Sequence, residues 1–198
     1  MIAAAEHAGD AAATLLATIR TRRVARSFTE EPVDESDLRK LLESARWALS
    51  AGNRYINKFL VVQDPARIRL VRAVSPGMLA WPPALIVILT DLDKAAEEQV
   101  QVGRDTAVAV DVGTAAMNMS LMAHALGLGS CPATSFSRSG VAAALELPST
   151  MIPEFILQLG HPAPQPRVMR AGASTRLTVE SLTYWEQVGK PMPRRPGE

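Results

Sequence analysis

Leu38, Leu41, Leu42, Ala45 and Leu49 recur at helical spacing behind the start signal Pro32-Val33-Asp34-Glu35-Ser36-Asp37, so a helix beginning there has one apolar face. Ser50-Ala51-Gly52-Asn53 ends it with small and turn-forming residues. Upstream, Ala11 to Arg20 is rich in Ala and Leu and predicts a first helix. Phe59 to Val62 is a short apolar run closed by Gln63-Asp64-Pro65, the pattern of a buried strand. Ile68, Leu70, Val71 and Val74 sit among arginines from Ala66 to Val74 and predict a short helix, closed by Ser75-Pro76-Gly77. Ala84 to Leu89, behind Pro82-Pro83, is the second buried strand.

The pattern then changes. Lys94 to Arg104 is polar and charged, whereas Ala107 to Leu126 is apolar on nearly all sides, with Asp111, Asn118 and His124 as its few strongly polar members. A helix apolar all round must be buried, at the centre of the fold or in a subunit interface, and Met117, Met119 and Met122 supply adaptable packing there. Gly127-Leu-Gly129 leaves this helix towards a further extended segment, and Phe155 to Leu159 is the third clear strand, cut off by Gly160-His161-Pro162. Strands separated by long helical stretches predict an α+β or α/β domain with a modest central sheet. From Thr178 through Trp185 to Pro191 the pattern gives a short helix followed by an arm with too little apolar content to fold alone.

Composition narrows the picture. The 198 residues, 47% of them hydrophobic, suit one compact domain, with residues 1–10 expected to be disordered. A net charge of +1 gives no global field for nucleic acid, so any basic site is local. The single Cys131 has no disulfide partner, which fits a reducing, cytoplasmic setting, and it reads as a small packed residue. The N-terminal residues lack the pattern of a secretory signal, and no apolar run approaches the ~20 residues of a membrane helix, so no membrane partner is expected. His7, His124 and His161 lack metal-ligand spacing, so no metal site is expected. Trp47, Trp81 and Trp185 read as core or interface anchors.

The candidate chemistry lies in Arg20-Thr-Arg22-Arg23-Val-Ala-Arg26-Ser27-Phe28, where four guanidinium groups fall within seven residues. Charges so close repel unless something neutralises them, and the guanidinium fork suits a phosphate, so this run is a seat for a dianion. Its plainer alternative is a solvated basic patch.

The order of motifs extends the argument. Arg22-Arg23-Val24-Ala25-Arg26-Ser27-Phe28, then Ser50-Ala51-Gly52-Asn53-Arg54, then Asp111-Val-Gly-Thr-Ala to Gly127-Leu-Gly129-Ser130, then Leu159-Gly160-His161-Pro162, and finally Arg176 resembles the flavin-dependent nitroreductase family over nearly the whole chain. The resemblance implies an α+β, three-layer fold with a central, mainly antiparallel sheet flanked by helices. It implies a homodimer with FMN at the subunit interface and a C-terminal arm, 178–198, packed on the partner. Arg22, Arg23, Val24 and Arg26 are then expected at the phosphate and the pyrimidine side of the flavin, with Arg176 as a second phosphate contact. Ser50, Ala51 and Asn53 match the loop that reaches the ring from the partner subunit, and Pro132, Ala133, Thr134 and Ser135 match the segment beside the isoalloxazine.

Such a site carries electrons from NADH or NADPH through the flavin to an acceptor such as a nitroaromatic or a quinone, and needs no protein nucleophile. Arg26 is the residue assigned a chemical role, opposite the flavin edge that becomes anionic on reduction. Val24 stands where many members have Ser, Leu49 where Pro is frequent, and Tyr55-Ile56-Asn57 where Gln-Pro-Trp is common. The short segment between Asp91 and Asp105 implies an open or differently covered pocket. Two further readings stay open: a protein that stores, senses or fragments flavin, and a cofactor-free dimer serving as an interaction module.

Overall fold

The computed structural model describes residues 2–102, 106–164 and 178–193. They fall into two compact units, 1–164 and 165–198. The first unit is built around a four-stranded antiparallel sheet of β1 (Asn57–Val62), β2 (Ala84–Asp91), β3 (Gly129–Ala133) and β4 (Met151–Gly160), in the order β1-β2-β4-β3. Seven helices accompany these strands in the described residues: α1 (Ile2–Thr21), α2 (Glu35–Arg46), α3 (Pro65–Ala73), α4 (Leu92–Glu97), α5 (Thr106–Ala125), α6 (Arg138–Ala144) and, in the second unit, α7 (Val179–Leu182).

Every residue of β2 is buried, which is why its sequence is a continuous apolar run rather than an alternation. Successive side chains of a strand point to opposite faces. Ala84, Ile86 and Ile88 accordingly pack with Leu38, Leu41 and Ala45 of α2 and Val112, Ala115 and Met119 of α5. Leu85, Val87 and Leu89 pack on the other face with Ile68 and Val71 of α3 and Val141 of α6. Two apolar layers enclosing one sheet give the three-layer α+β arrangement.

Local signals account for several helix starts. Asp64 accepts a hydrogen bond from the Ala66 amide at 2.9 Å with Pro65 in the first turn of α3, so the side chain satisfies an amide that has no partner within the helix. Ser137 caps α6 in the same way, accepting from Gly140 N at 3.1 Å. In the second unit, Thr178 and Ser181 form a reciprocal capping box on α7.

The structure departs from the hydrophobic pattern in three places. The first helix begins at Ile2 rather than Ala11, so the stretch 2–10 expected to be disordered is helical. Leu49, counted on the apolar face of α2, is 76% exposed because the helix ends at Arg46. Helix α5 is not buried on every side: Met119 is fully buried, while Val110 and Met117 are about half exposed on the opposite face. Among the described residues no helix is long and apolar enough to cross a membrane.

Candidate functional site

The arginine run leaves α1 and runs along the edge of the sheet where β3 begins and β4 ends. Val24 bridges Ser130 in parallel, with Ala25 N donating to Ser130 O at 3.0 Å. Phe28 bridges Pro162, Thr29 N donates to His161 O at 2.9 Å, and Ala163 N donates to Ser27 O at 3.1 Å. This seat exists because Gly129 and Gly160, register partners in the β3–β4 pair, carry no side chain. A Cβ on Gly129 would lie 2.6 Å from the Ala25 Cβ and 3.2 Å from the Phe28 ring, and one on Gly160 2.6 Å from Pro83 and 3.0 Å from the same ring. The glycine pair forms a notch, and the Phe28 ring lies over it.

The arginines have different surroundings. Arg22 is half-buried, and Arg26 is exposed. Arg23 turns back on α1, donating from Nη1 to Arg20 O at 2.7 Å and to Arg22 O at 2.8 Å, where a cation complements the carbonyl end of the helix. Arg26 acts on Cys131 of β3: burial pushes that thiol up, and the guanidinium charge works in the opposite direction. Downstream of β3, Ser135 O accepts from Gly77 N at 2.8 Å and Val74 O accepts from Ser137 N at 2.9 Å, so this backbone is tied to the connection between α3 and β2. Pro132, Thr134 and Ser135 are exposed and Ala133 is buried. Thr134 lines a cavity of about 520 Å³ together with Thr106, Ala109 and Gly113 of α5 and the paired Arg138 and Glu154.

Ser50, Ala51 and Asn53 stand elsewhere, at the short 3-10 turn Ala51–Asn53 after α2. Ser50 and Asp111 line a second cavity, of about 650 Å³, with Trp47, Tyr55 and Phe59. Thr134 and Ser50 therefore line different cavities, each taking one wall from α5. Within one chain the fold brings Val24 and Arg26 to β3, while the Ser50 loop is held against Asp111 of α5. Arg176 lies outside the described residues.

Asp111 was not among the residues expected to bind cofactor, yet it organises the Ser50 loop. Its Oδ2 accepts from Ser50 Oγ at 2.9 Å and its Oδ1 from Ala51 N at 2.9 Å, while it is only 4% exposed. The signal was a lone acid in an otherwise apolar helix, since a buried charge without partners is costly. Gly77, Gly129 and Gly160 were missed as spacers, because their sequence context marks turns and says nothing about what lies against them. Among the described residues no three His, Cys, Asp or Glu cluster in a way that could hold a metal ion.

Comparison with known proteins fits this geometry. The family model described as "Nitroreductase family" matches residues 19–81 and 74–161. An NADH dehydrogenase of Thermus thermophilus is 31% identical, over 83% of this chain and 92% of the relative. An FMN reductase [NAD(P)H] of Bacillus subtilis is 26% identical, over 87% of this chain and 73% of the relative. A chain from Desulfovibrio desulfuricans, described as a nitroreductase and solved in complex with FMN, superposes with a TM-score of 0.73 at 27% identity, covering 90% of this chain and 98% of that one. With the sheet and these matches in agreement, the chain belongs to the nitroreductase family.

Proposed function

We propose that this protein is an FMN-dependent oxidoreductase that takes hydride from NADH or NADPH and passes the electrons to a conjugated acceptor such as a nitroaromatic or a quinone, working as a homodimer. The observation that carries the reading is the glycine notch, which lays the arginine run on β3 so that cationic side chains and a small-residue backbone share one edge of the sheet. The relatives named for FMN reduction and solved with FMN support the choice of cofactor.

The residues present fit such a group. A phosphate needs forked, charged donors, and half-buried Arg22 and exposed Arg26 are side chains of that kind. A flat ring system needs backbone that approaches closely, and Pro132 to Ser135 carry small side chains on a segment fixed by the Gly77–Ser135 bond. Bound there, FMN supplies the two-electron chemistry. The protein's share is binding, orientation and charge. Arg22 holds the phosphate, with Arg176 assigned a second contact by the family likeness. Arg26 places positive charge where negative charge develops. Arg23, with Nη1 committed to the end of α1, acts chiefly by fixing the exit of that helix. Val24 contributes through its backbone, in the bridge to Ser130.

A second copy of the chain completes the site. Val110 and Met117 are exposed on one face of α5, and Trp47 and Leu49 are exposed beside the Ser50 loop. Covering these residues brings that loop against the partner's arginine edge.

The deciding experiment is absorbance of the purified protein before and after anaerobic mixing with NADH or NADPH. Flavin bands that bleach within seconds are expected. A colourless protein that binds no added FMN overturns the cofactor assignment, and a yellow protein that neither nucleotide bleaches overturns the oxidoreductase in favour of flavin storage or fragmentation.

A further inference from the structure

The loop after α2 holds an unusual backbone. Gly52 has φ 65°, Asn53 59° and Tyr55 49°, so three residues within four lie in the left-handed region. Glycine and asparagine enter that region readily, but a tyrosine does so only when its surroundings impose it. The surroundings here are one face of α5. Both carboxylate oxygens of Asp111 accept from the loop, Oδ1 from Ala51 N and Oδ2 from the Ser50 hydroxyl, each at 2.9 Å. The Ser50 oxygen in turn accepts from Tyr55 N at 2.9 Å. One turn along α5, the Thr114 hydroxyl donates to Leu49 O at 3.2 Å.

These bonds form a relay from the buried carboxylate through the serine to the strained tyrosine. Giving its proton to a carboxylate makes the Ser50 oxygen a stronger acceptor for the Tyr55 amide, since linked hydrogen bonds polarise one another. A neutral side chain at 111 cannot reproduce this. An amide accepts through one atom only: with its oxygen on the Ala51 amide, its NH2 would donate to the Ser50 oxygen, reversing that bond and removing the polarisation towards the Tyr55 amide.

We infer that Asp111 is a positioning residue for the reaction: it holds the Ser50–Tyr55 loop in its strained shape, which sets how Ser50, Ala51 and Asn53 meet the flavin bound by the partner subunit. This rests on the oxidoreductase reading above for its catalytic consequence, while its structural content stands on the four bonds alone. Asp111 touches neither substrate nor cofactor and acts through the loop.

Hydrogen exchange and kinetics on Asp111→Ala, Asp111→Asn and Ser50→Ala test it. In Asp111→Ala the amides of Ala51 and Tyr55 should exchange at least about tenfold faster while α5 keeps its protection, since loss of local bonds opens a loop without unfolding its support. The Tyr55 amide is diagnostic, because it bonds to Ser50 and not to Asp111 itself. Flavin content per subunit should stay near that of the unaltered protein, kcat with a saturating acceptor should fall about tenfold, and Asp111→Asn should lie between. Exchange at the Tyr55 amide should quicken little further when Ser50→Ala is added to Asp111→Ala, because the two residues form one relay.

Unchanged exchange at both amides in a folded variant overturns the proposal. Faster exchange with unaltered kcat and KM overturns its catalytic part. Should Asp111→Ala fail to fold, Asp111→Asn carries the same comparison. A wild-type protein that NADH and NADPH cannot reduce is a different failure: it removes the oxidoreductase reading and the catalytic part together, and exchange at Ala51 and Tyr55 still decides whether Asp111 holds the loop.

Discussion

The charge of Arg26 acts on Cys131 of β3, and each residue gives a measurable consequence. If Arg26 faces the part of the flavin that gains negative charge, Arg26→Gln keeps much of the side-chain length and removes the charge, so the reduced cofactor loses more than the oxidised one. A difference of ~2 kcal/mol corresponds to a midpoint potential lower by ~40 mV for a two-electron couple. Redox titration against a reference dye checks this, and an unchanged potential in a variant that retains FMN moves Arg26 away from the ring. Cys131 bears on stability. Burial pushes its thiol up and Arg26 opposes the shift, so the folded protein favours the neutral thiol more than the unfolded chain does. Stability from this source is whole below the unfolded value of about 8.5 and is lost as pH rises through the higher folded value. Urea midpoints should therefore fall as pH rises above the unfolded thiol value, and less steeply in Cys131→Ala.

At the scale of elements, two glycines two residues apart serve different purposes. Gly127, at φ 77°, ends α5 in a left-handed conformation, with Leu128 N returning to Ala123 O at 2.8 Å, and an added Cβ there meets nothing within 4 Å. Gly129 needs space instead, since its Cβ would strike Ala25 at 2.6 Å. Gly127→Ala should cost about 1 kcal/mol of stability and leave FMN retention unaltered. Gly129→Ala should cost about 1–3 kcal/mol and also release FMN, because the arginine run must lift from the sheet. Thermal melts together with flavin content after gel filtration separate the two, and equal flavin loss in both variants contradicts the notch as the seat of the site. Helix α2 shapes the Ser50 loop through its end: stopping at Arg46 leaves Trp47 and Leu49 exposed ahead of it.

For the whole molecule, the exposed apolar positions of α5 set the expectation. Val110 and Met117 are seven residues apart, hence on one helix face, and both are about half exposed although the helix is otherwise core-forming. Light scattering at micromolar concentration should give a dimer. Met117→Glu should yield a monomer, with weaker FMN binding if the partner's Ser50 loop helps to hold the cofactor. A wild-type monomer that retains FMN contradicts both the dimer and the shared site.

Sequence by itself determined most of the elements and the family. Helix α2 follows from the spacing of Leu38, Leu41 and Ala45, and β2 from an unbroken apolar run, because these patterns express local geometry against a single buried face. The order of arginine, serine–asparagine and glycine motifs gave the family, since a binding site keeps its residue types in chain order. Helix α6 was not legible, as its seven residues from Arg138 to Ala144 are short and weakly patterned. Nor was the end of α2 before Leu49, where the apolar period runs on past the last helical turn. The notch of Gly129 against Gly160, and the grip of Asp111 on Ser50 and Ala51 some sixty residues away, came only from the tertiary structure. Strand register and helix packing decide which distant atoms stand within hydrogen-bond reach or collide, and no local pattern carries that distance.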